Sequence, residues 1–358
     1  MHRSFFTVFL LSLTLHSCQQ TPKQCVWNDF PPASSLIRLE EEIFEKDSIA
    51  VIEGLECDGK NLVVSDVYEG KCYTLFDAST GAYIGRFGSI GQGPGEIENL
   101  CSGHLSDGCF SIFSGQTGRI QKYFMDSLRL GHQNASPIHL FTYNLPDLSA
   151  FGLSVLNDST FLAAGTYLSR YQYCLFNDRN EVLDSAVEIY NAADSSFNNY
   201  IRPLTNQGVM AVHPTEKERF AYALWYSSNI DFMKITKHHI DVIRKNHYGN
   251  PEIKPLTLSM GGTVGYSFEP NKESPVGFLD LAASVQGVYA LYSDKAFKDS
   301  RRESRHVLFW DWEGNPIGNY QLDTDVYHIA VTPEGKKLFA ATKSEEGEWI
   351  IACYDISQ

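Results

Sequence analysis

Six times along the chain an apolar run meets a tight polar turn and comes back as a second apolar run. The copies are Leu55–Val64 around Asp58-Gly59, Leu105–Ile112 around Asp107-Gly108, Leu156–Ala163 around Asp158-Ser159, Val212–Ala221 around Glu216 to Glu218, Ala283–Ala290 around Gln286-Gly287, and Val331–Ala340 around Glu334-Gly335. Markers at Gly59, Gly108, Ser159, Glu218, Gly287 and Gly335 are separated by 49, 51, 59, 69 and 48 residues. A repeated hairpin at a period near 50 constrains the fold strongly. A hairpin cannot bury its apolar face alone, and stacking such units around a ring lets each cover the next. The glycines supply the positive φ that a tight turn demands. No long stretch has a 3.6-residue apolar period, so the chain reads as all-β.

A second marker follows the first in four units. It is an apolar-aromatic strand end and a polar turn: Leu75-Phe76-Asp77, Leu175-Phe176-Asn177, Phe309-Trp310-Asp311 and Cys353-Tyr354-Asp355. It suits the third strand of a blade turning into its fourth. The reading is a six-bladed β-propeller of four-stranded antiparallel blades. The last unit stops after its third strand. Leu36–Leu39 through Ile43-Phe44, ahead of the first blade, is therefore expected to supply the missing strand and close the ring. Closure leaves no open edge.

The N-terminus reads as a secretory leader. His2 and Arg3 precede an apolar run from Phe5 to Leu15, too short to span a bilayer, which ends at Leu15-His16-Ser17-Cys18. That ending resembles a bacterial lipobox, which implies a diacylated Cys18. Residues 1–17 are then the signal peptide, 18–34 a lipidated tether and 35–358 the propeller. Asp and Glu outnumber Lys and Arg by 43 to 29, a net charge of −14, so nucleic acid is not an expected partner. The other seven cysteines form no C-x-x-C pair and read mostly as buried thiols. Cys57 with Cys72, or Cys101 with Cys109, remain possible pairs across neighbouring strands.

Tyr83-Ile84-Gly85-Arg86-Phe87-Gly88-Ser89-Ile90-Gly91-Gln92-Gly93-Pro94-Gly95-Glu96-Ile97 resembles the signature of TolB-like six-bladed propeller lipoproteins of Bacteroidetes, themselves similar to NHL-repeat propellers. Val288–Ser293 resembles the same family. The resemblance implies the fold and a cell-envelope location, and no defined reaction. With no acidic residues directly after Cys18, it points to a periplasm-facing anchor on the outer membrane rather than the cell surface. The glycine-rich segment itself ends Gly-Glu-Ile and lacks the Gly-Lys-Ser/Thr of a phosphate loop, so it reads as a blade connector.

No catalytic constellation stands out. There is no Gly-x-Ser-x-Gly elbow, His-Glu-x-x-His helix or calcium loop. His238-His239 are neighbours on a strand and would face opposite sides. Asp158, Asp178, Asp311 and Asp355 read as turn formers. Trp225, Tyr226, Trp310 and Trp312 read as strand residues packed between blades. No cofactor or metal is called. The connectors 190–207 and 248–276 are longer than a blade link needs. A ligand site is expected at the channel mouth, with Glu96, Arg202, Tyr266, Asp280 and His328 as candidate contacts. The expected function is a non-catalytic binding or scaffold module for a protein, peptide or glycan. The alternative is a metal-assisted hydrolase, lactonase-like or glycan-cleaving, with its site in the channel.

Overall fold

The computed structural model describes residues 26–357 except 40–48, 94, 99–102, 115–116, 133–135, 145–149, 151, 168–169 and 300–301. The leader, Cys18 and Cys101 lie outside the described residues. Six blade sheets are present among the described residues, one for each repeat, with a separate two-stranded hairpin between the fourth and fifth. Their innermost strands are Gly54–Cys57, Gly103–Ser106, Gly152–Asn157, Gly208–Val212, Pro275–Ala283 and His328–Val331. Each of the six sequence markers is the turn from an innermost strand to the second strand of its blade.

Every blade is an up-and-down meander. The starts of the innermost strands, the turns from second to third strand and the ends of the fourth strands therefore share one face, here called the mouth face. The marker hairpins and the third-to-fourth turns share the opposite face. On that opposite face the polar residues tie turns together. Asp77 accepts bonds from the main-chain N–H groups of Ser79 and Thr80 and takes the Arg129 guanidinium of the second blade at 2.6 Å. Asp311 accepts from Glu313 and Asn315, and Asp355 from Ser357. In the third blade the turn former in both of these turns is an asparagine, Asn157 or Asn177, and the expected Asp158 instead pairs with Lys122 at 2.8 Å. His238 lies in a turn at φ 69 rather than on a strand.

Hydrogen bonds from Ser79 and then Arg129 hold the Asp77 carboxyl well below the usual aspartate range. A depressed folded pKa contributes stability above the unfolded value and loses it as pH falls toward the folded one. Asp77→Asn is therefore expected to flatten the acid limb of the stability curve below about pH 4. Acid titration of urea-unfolding midpoints checks this, and an acid limb parallel to that of the parent would rule it out.

The core is divided among the gaps between blades. Six apolar clusters fill six gaps, each built from the facing residues of two neighbouring sheets. Tyr73, Phe87 and Phe110 pack edge to face between the first and second blades. Tyr173 with Tyr222 does so between the third and fourth. Cys57, Cys72, Cys109, Cys174 and Cys353 form no disulfide, and burial pushes the Cys57 thiol up to about 12.

The closing strand is present over Ile37–Leu39, while Ile43 and Phe44 lie outside the described residues. Ile37 and Arg38 pair antiparallel with Asp355 and Tyr354, and the N–H of Leu39 donates to the Cys353 carbonyl at 2.8 Å. The last blade thus takes its fourth strand from the N-terminal side of the chain. The contact also extends further back than the tether boundary at 34 implies. Ser34–Ser35 pair in parallel with the outer strand of the fifth blade. Val26 and Phe30 are buried in the gap between blades four and five. No helix among the described residues is long and apolar enough to cross a membrane.

Candidate functional site

The innermost strands are edge strands, so one row of their main-chain N–H and C=O groups faces the axis instead of a neighbour. On the mouth face they surround a cavity of about 590 Å³. Four strands, from blades one to four, begin with glycine: Gly54, Gly103, Gly152 and Gly208 all line it. At Gly103 and Gly208 a Cβ would run into the Phe110 ring and the Ala223 carbonyl, so glycine there makes room inside the blade, and at all four positions the peptide group itself forms the wall. At the opposite end the axis opens into a second hollow of about 340 Å³, between the marker hairpins.

Two of the five expected site residues meet on this wall. Asp280 of blade five accepts the N–H of Ile329 at 3.0 Å, and its carboxylate lies 3.3 Å from His328 Nδ1 of blade six. The same device recurs where it was not expected. Glu56 of blade one accepts from the N–H of Leu105 at 3.3 Å and lies 3.4 Å from His104 Nδ1 of blade two. In both places a carboxylate reaches across a blade gap to the edge N–H of the next innermost strand, and a histidine one residue earlier closes on it. The spacing from carboxylate to histidine is the same 48 residues in both pairs. Comparing blade with blade at that spacing is the signal that would have revealed Glu56 and His104. These clasps satisfy edge donors and fix the angle between blades. Among the described residues no three His, Cys, Asp or Glu side chains converge at metal-ligand spacing.

The other three expected residues lie elsewhere. Glu96 folds back onto its own loop, where Oε2 accepts the Gly93 N–H at 2.7 Å. A Cβ on Gly91 would sit 2.0 Å from that carboxylate, so glycine there makes room for it. The glycine-rich segment is a self-closed connector between blades one and two, and Glu96 is its internal cap. Arg202 sits in the short helix Ile201–Thr205 of the connector between blades three and four and donates to Asn199 Oδ1 and the Asp194 carbonyl. That connector is held by buried amides: Asn191 and Asn206 share Thr205, and the Asn206 carbonyl accepts from Gln172 and Tyr222. Tyr266 belongs to a separate hairpin, Ile253–Met260 and Thr263–Pro270, between blades four and five. Its ring stacks parallel to Tyr200 at 4.9 Å.

The rim residues are ones that sequence reasoning placed differently or missed. Trp225 and Tyr226 lie in the turn from second to third strand of blade four, on the mouth face, not within strands. Trp225 lines the cavity with Arg302, whose guanidinium stands 4.9 Å over its ring. Tyr327 and Trp349 line the other side, edge to face at 4.9 Å, and the Lys343 ammonium lies near both rings. Trp310 and Trp312 are buried between blades as expected, although Trp312 lies in the turn after its strand rather than within it.

The family described as TolB-like 6-blade propeller-like matches residues 54–334. The chain belongs to that family. Among solved structures it is similar to a Bacteroides fragilis protein described as exported, at 11% identity and TM-score 0.53, covering 90% of this chain and 94% of that one. It is also similar to a DUF4221 family member from Bacteroides vulgatus, at 11% identity and TM-score 0.51, covering 90% and 96%. At such identities the likeness is one of fold. Comparison with the curated proteins found no match.

Proposed function

We propose that this TolB-like propeller is a non-catalytic module of the cell envelope, anchored through Cys18, that binds an extended peptide at the mouth of its central channel. One observation carries the reading: the mouth is walled by main-chain groups of the innermost strands, those of Gly54, Gly103, Gly152 and Gly208 among them, around a cavity of about 590 Å³. Unpaired strand edges offer a peptide backbone alternating donors and acceptors. A cavity of this size lies within the usual range for ligand pockets. The rim aromatics favour a peptide over a sugar, because Arg302 and Lys343 already stand over their rings. The export described for one structural neighbour supports the envelope location.

The test is a plug. Glu53 lines the cavity and is exposed, so a large side chain there narrows the mouth without entering a blade gap. Glu53→Trp is expected to melt with the parent protein and to lose binding, by about tenfold or more, of peptides selected from a random library against the parent. Selected peptides that bind the plugged variant equally well would overturn the assignment of the site. Cys18→Ser checks the anchor: unchanged membrane fractionation would refute it.

A further inference from the structure

The hairpin Ile253–Met260 and Thr263–Pro270 belongs to none of the six blades. It rises from the connector between the fourth strand of blade four and the innermost strand of blade five, so it stands on the mouth face. One fifth of the chain is charged, yet from Pro255 to Phe268 the hairpin has no charged residue. Its distal part is nevertheless exposed, with Leu258 at 45% and Val264 at 53%. Lys254 and Glu269, opposite each other in the register, mark where charge resumes at its base. Tyr226 packs on Phe268 there, and the stacked Tyr200–Tyr266 pair sits midway. Two strands alone form a marginal structure in water, and a projecting uncharged pair calls for a cover.

Where the chain leaves the ring says what that cover is. The described chain begins at Val26. Trp27 packs on Tyr292 and His306, and Asp29 accepts from the Tyr248 hydroxyl. Those partners, with Asp294, which accepts from the Trp27 indole, lie in the mouth-side halves of the second and third strands of blade five and at the end of the fourth strand of blade four, which places Val26–Asp29 on the mouth-face side between blades four and five. The hairpin rises from the same sector. Between Cys18 and Val26 stand only residues 19–25, which fully extended reach about 28 Å. A tether that short, attached at that rim, brings this sector to the lipid surface. Apolar side chains carried on a tyrosine-bearing base suit the zone between headgroups and acyl chains.

We infer that the mouth face is turned toward the bilayer, with the 253–270 hairpin lying in the interfacial layer of the membrane. This rests on the Cys18 anchor proposed above. It places the peptide site in the gap between propeller and lipid, so the ligand class it favours is a peptide segment next to a membrane.

The experiment places a tryptophan at Val264 in the acylated chain, reconstituted in phosphatidylcholine vesicles whose acyl chains are brominated near the headgroup. The matched control is Glu218→Trp, on the opposite face. Relative to the parent protein in the same vesicles, the Val264→Trp signal is expected to be quenched about twofold and the control signal unchanged. Vesicle sedimentation and the mass of the acylated N-terminal peptide are read in the same sample. An acylated, sedimenting protein with no quenching at 264 overturns the orientation and leaves the anchor standing. A chain without acyl groups that stays in solution overturns the anchor, and the inference with it. A 264 signal that changes with protein concentration in detergent assigns the hairpin to a second copy of the chain, and also overturns it.

Discussion

Asp66→Ala is expected to cost the propeller about 3–5 kcal/mol, the range for removing one partner of a buried ion pair. Asp66 is fully buried in the second strand of blade one, and its Oδ2 takes the Arg86 guanidinium of the fourth strand at 3.1 Å. The same carboxylate accepts the Thr74 hydroxyl at 2.6 Å and the Ala50 N–H at 3.2 Å. It therefore binds three strands of the blade and the segment leading into it. Arg86 is only 8% exposed and lies 4.5 Å from the Tyr68 ring centroid, so losing its carboxylate leaves a charge that water reaches poorly. Asp66→Asn keeps one acceptor oxygen, for the Thr74 hydroxyl or for the Ala50 N–H with Arg86, and should cost less. Asp66→Leu combined with Arg86→Met should recover most of the loss, because packing replaces two desolvated charges. Urea unfolding of the three variants measures this. A loss under about 1 kcal/mol for Asp66→Ala would show the pair to be hydrated and the burial argument mistaken.

The ring was legible because its cause is local. A tight turn needs residues such as Asp58-Gly59 or Glu334-Gly335, and two apolar runs around it need a neighbour, so one hairpin implies the next. Even the weakest copy, around Glu218, is a true marker turn. The site was less legible because its contacts cross between blades. Asp280 and His328 were both singled out as mouth residues, but their partnership depends on two innermost strands standing side by side. Glu56 and His104 make the same contact and pass unnoticed in a linear reading, each looking like a lone polar residue in a strand. Trp225 is apolar and sits at the end of an apolar run, so period alone assigns it to the strand. The backbone turns after Leu224, and the indole reaches the rim instead. Glu96 fails for the opposite reason: its partner is its own loop, and four glycines within eight residues leave room for a carboxylate to turn inward.

Removing the N-terminal strap should have the largest effect. A chain beginning at residue 40 lacks Val26, Phe30 and Leu36, which are 2%, 9% and 7% exposed and lie in two different blade gaps. Burying an aliphatic or aromatic side chain stabilises by about 1.5–3 kcal/mol, so the three together contribute at least roughly 5 kcal/mol. The same truncation strips Ile37–Arg38 from Trp349–Asp355 and turns that strand into an unpaired edge beside an open gap. Exposed edges recruit other chains, so the truncated protein is expected both to unfold at lower urea and to associate. A synthetic peptide of residues 26–39 should restore the midpoint in proportion to its concentration, because it binds only the closed ring. Sedimentation velocity with urea unfolding reads both effects. A truncated chain that stays monomeric and unfolds with the whole protein would mean that blades one and six close on each other unaided. The gap between those two blades is already filled by Leu55, Leu62 and Phe76 against Phe339 and Ile351. The strap's expected work lies further back, in the gap between blades five and six through Leu36 and in that between four and five through Val26 and Phe30, where it holds the ring to the segment that leads toward Cys18.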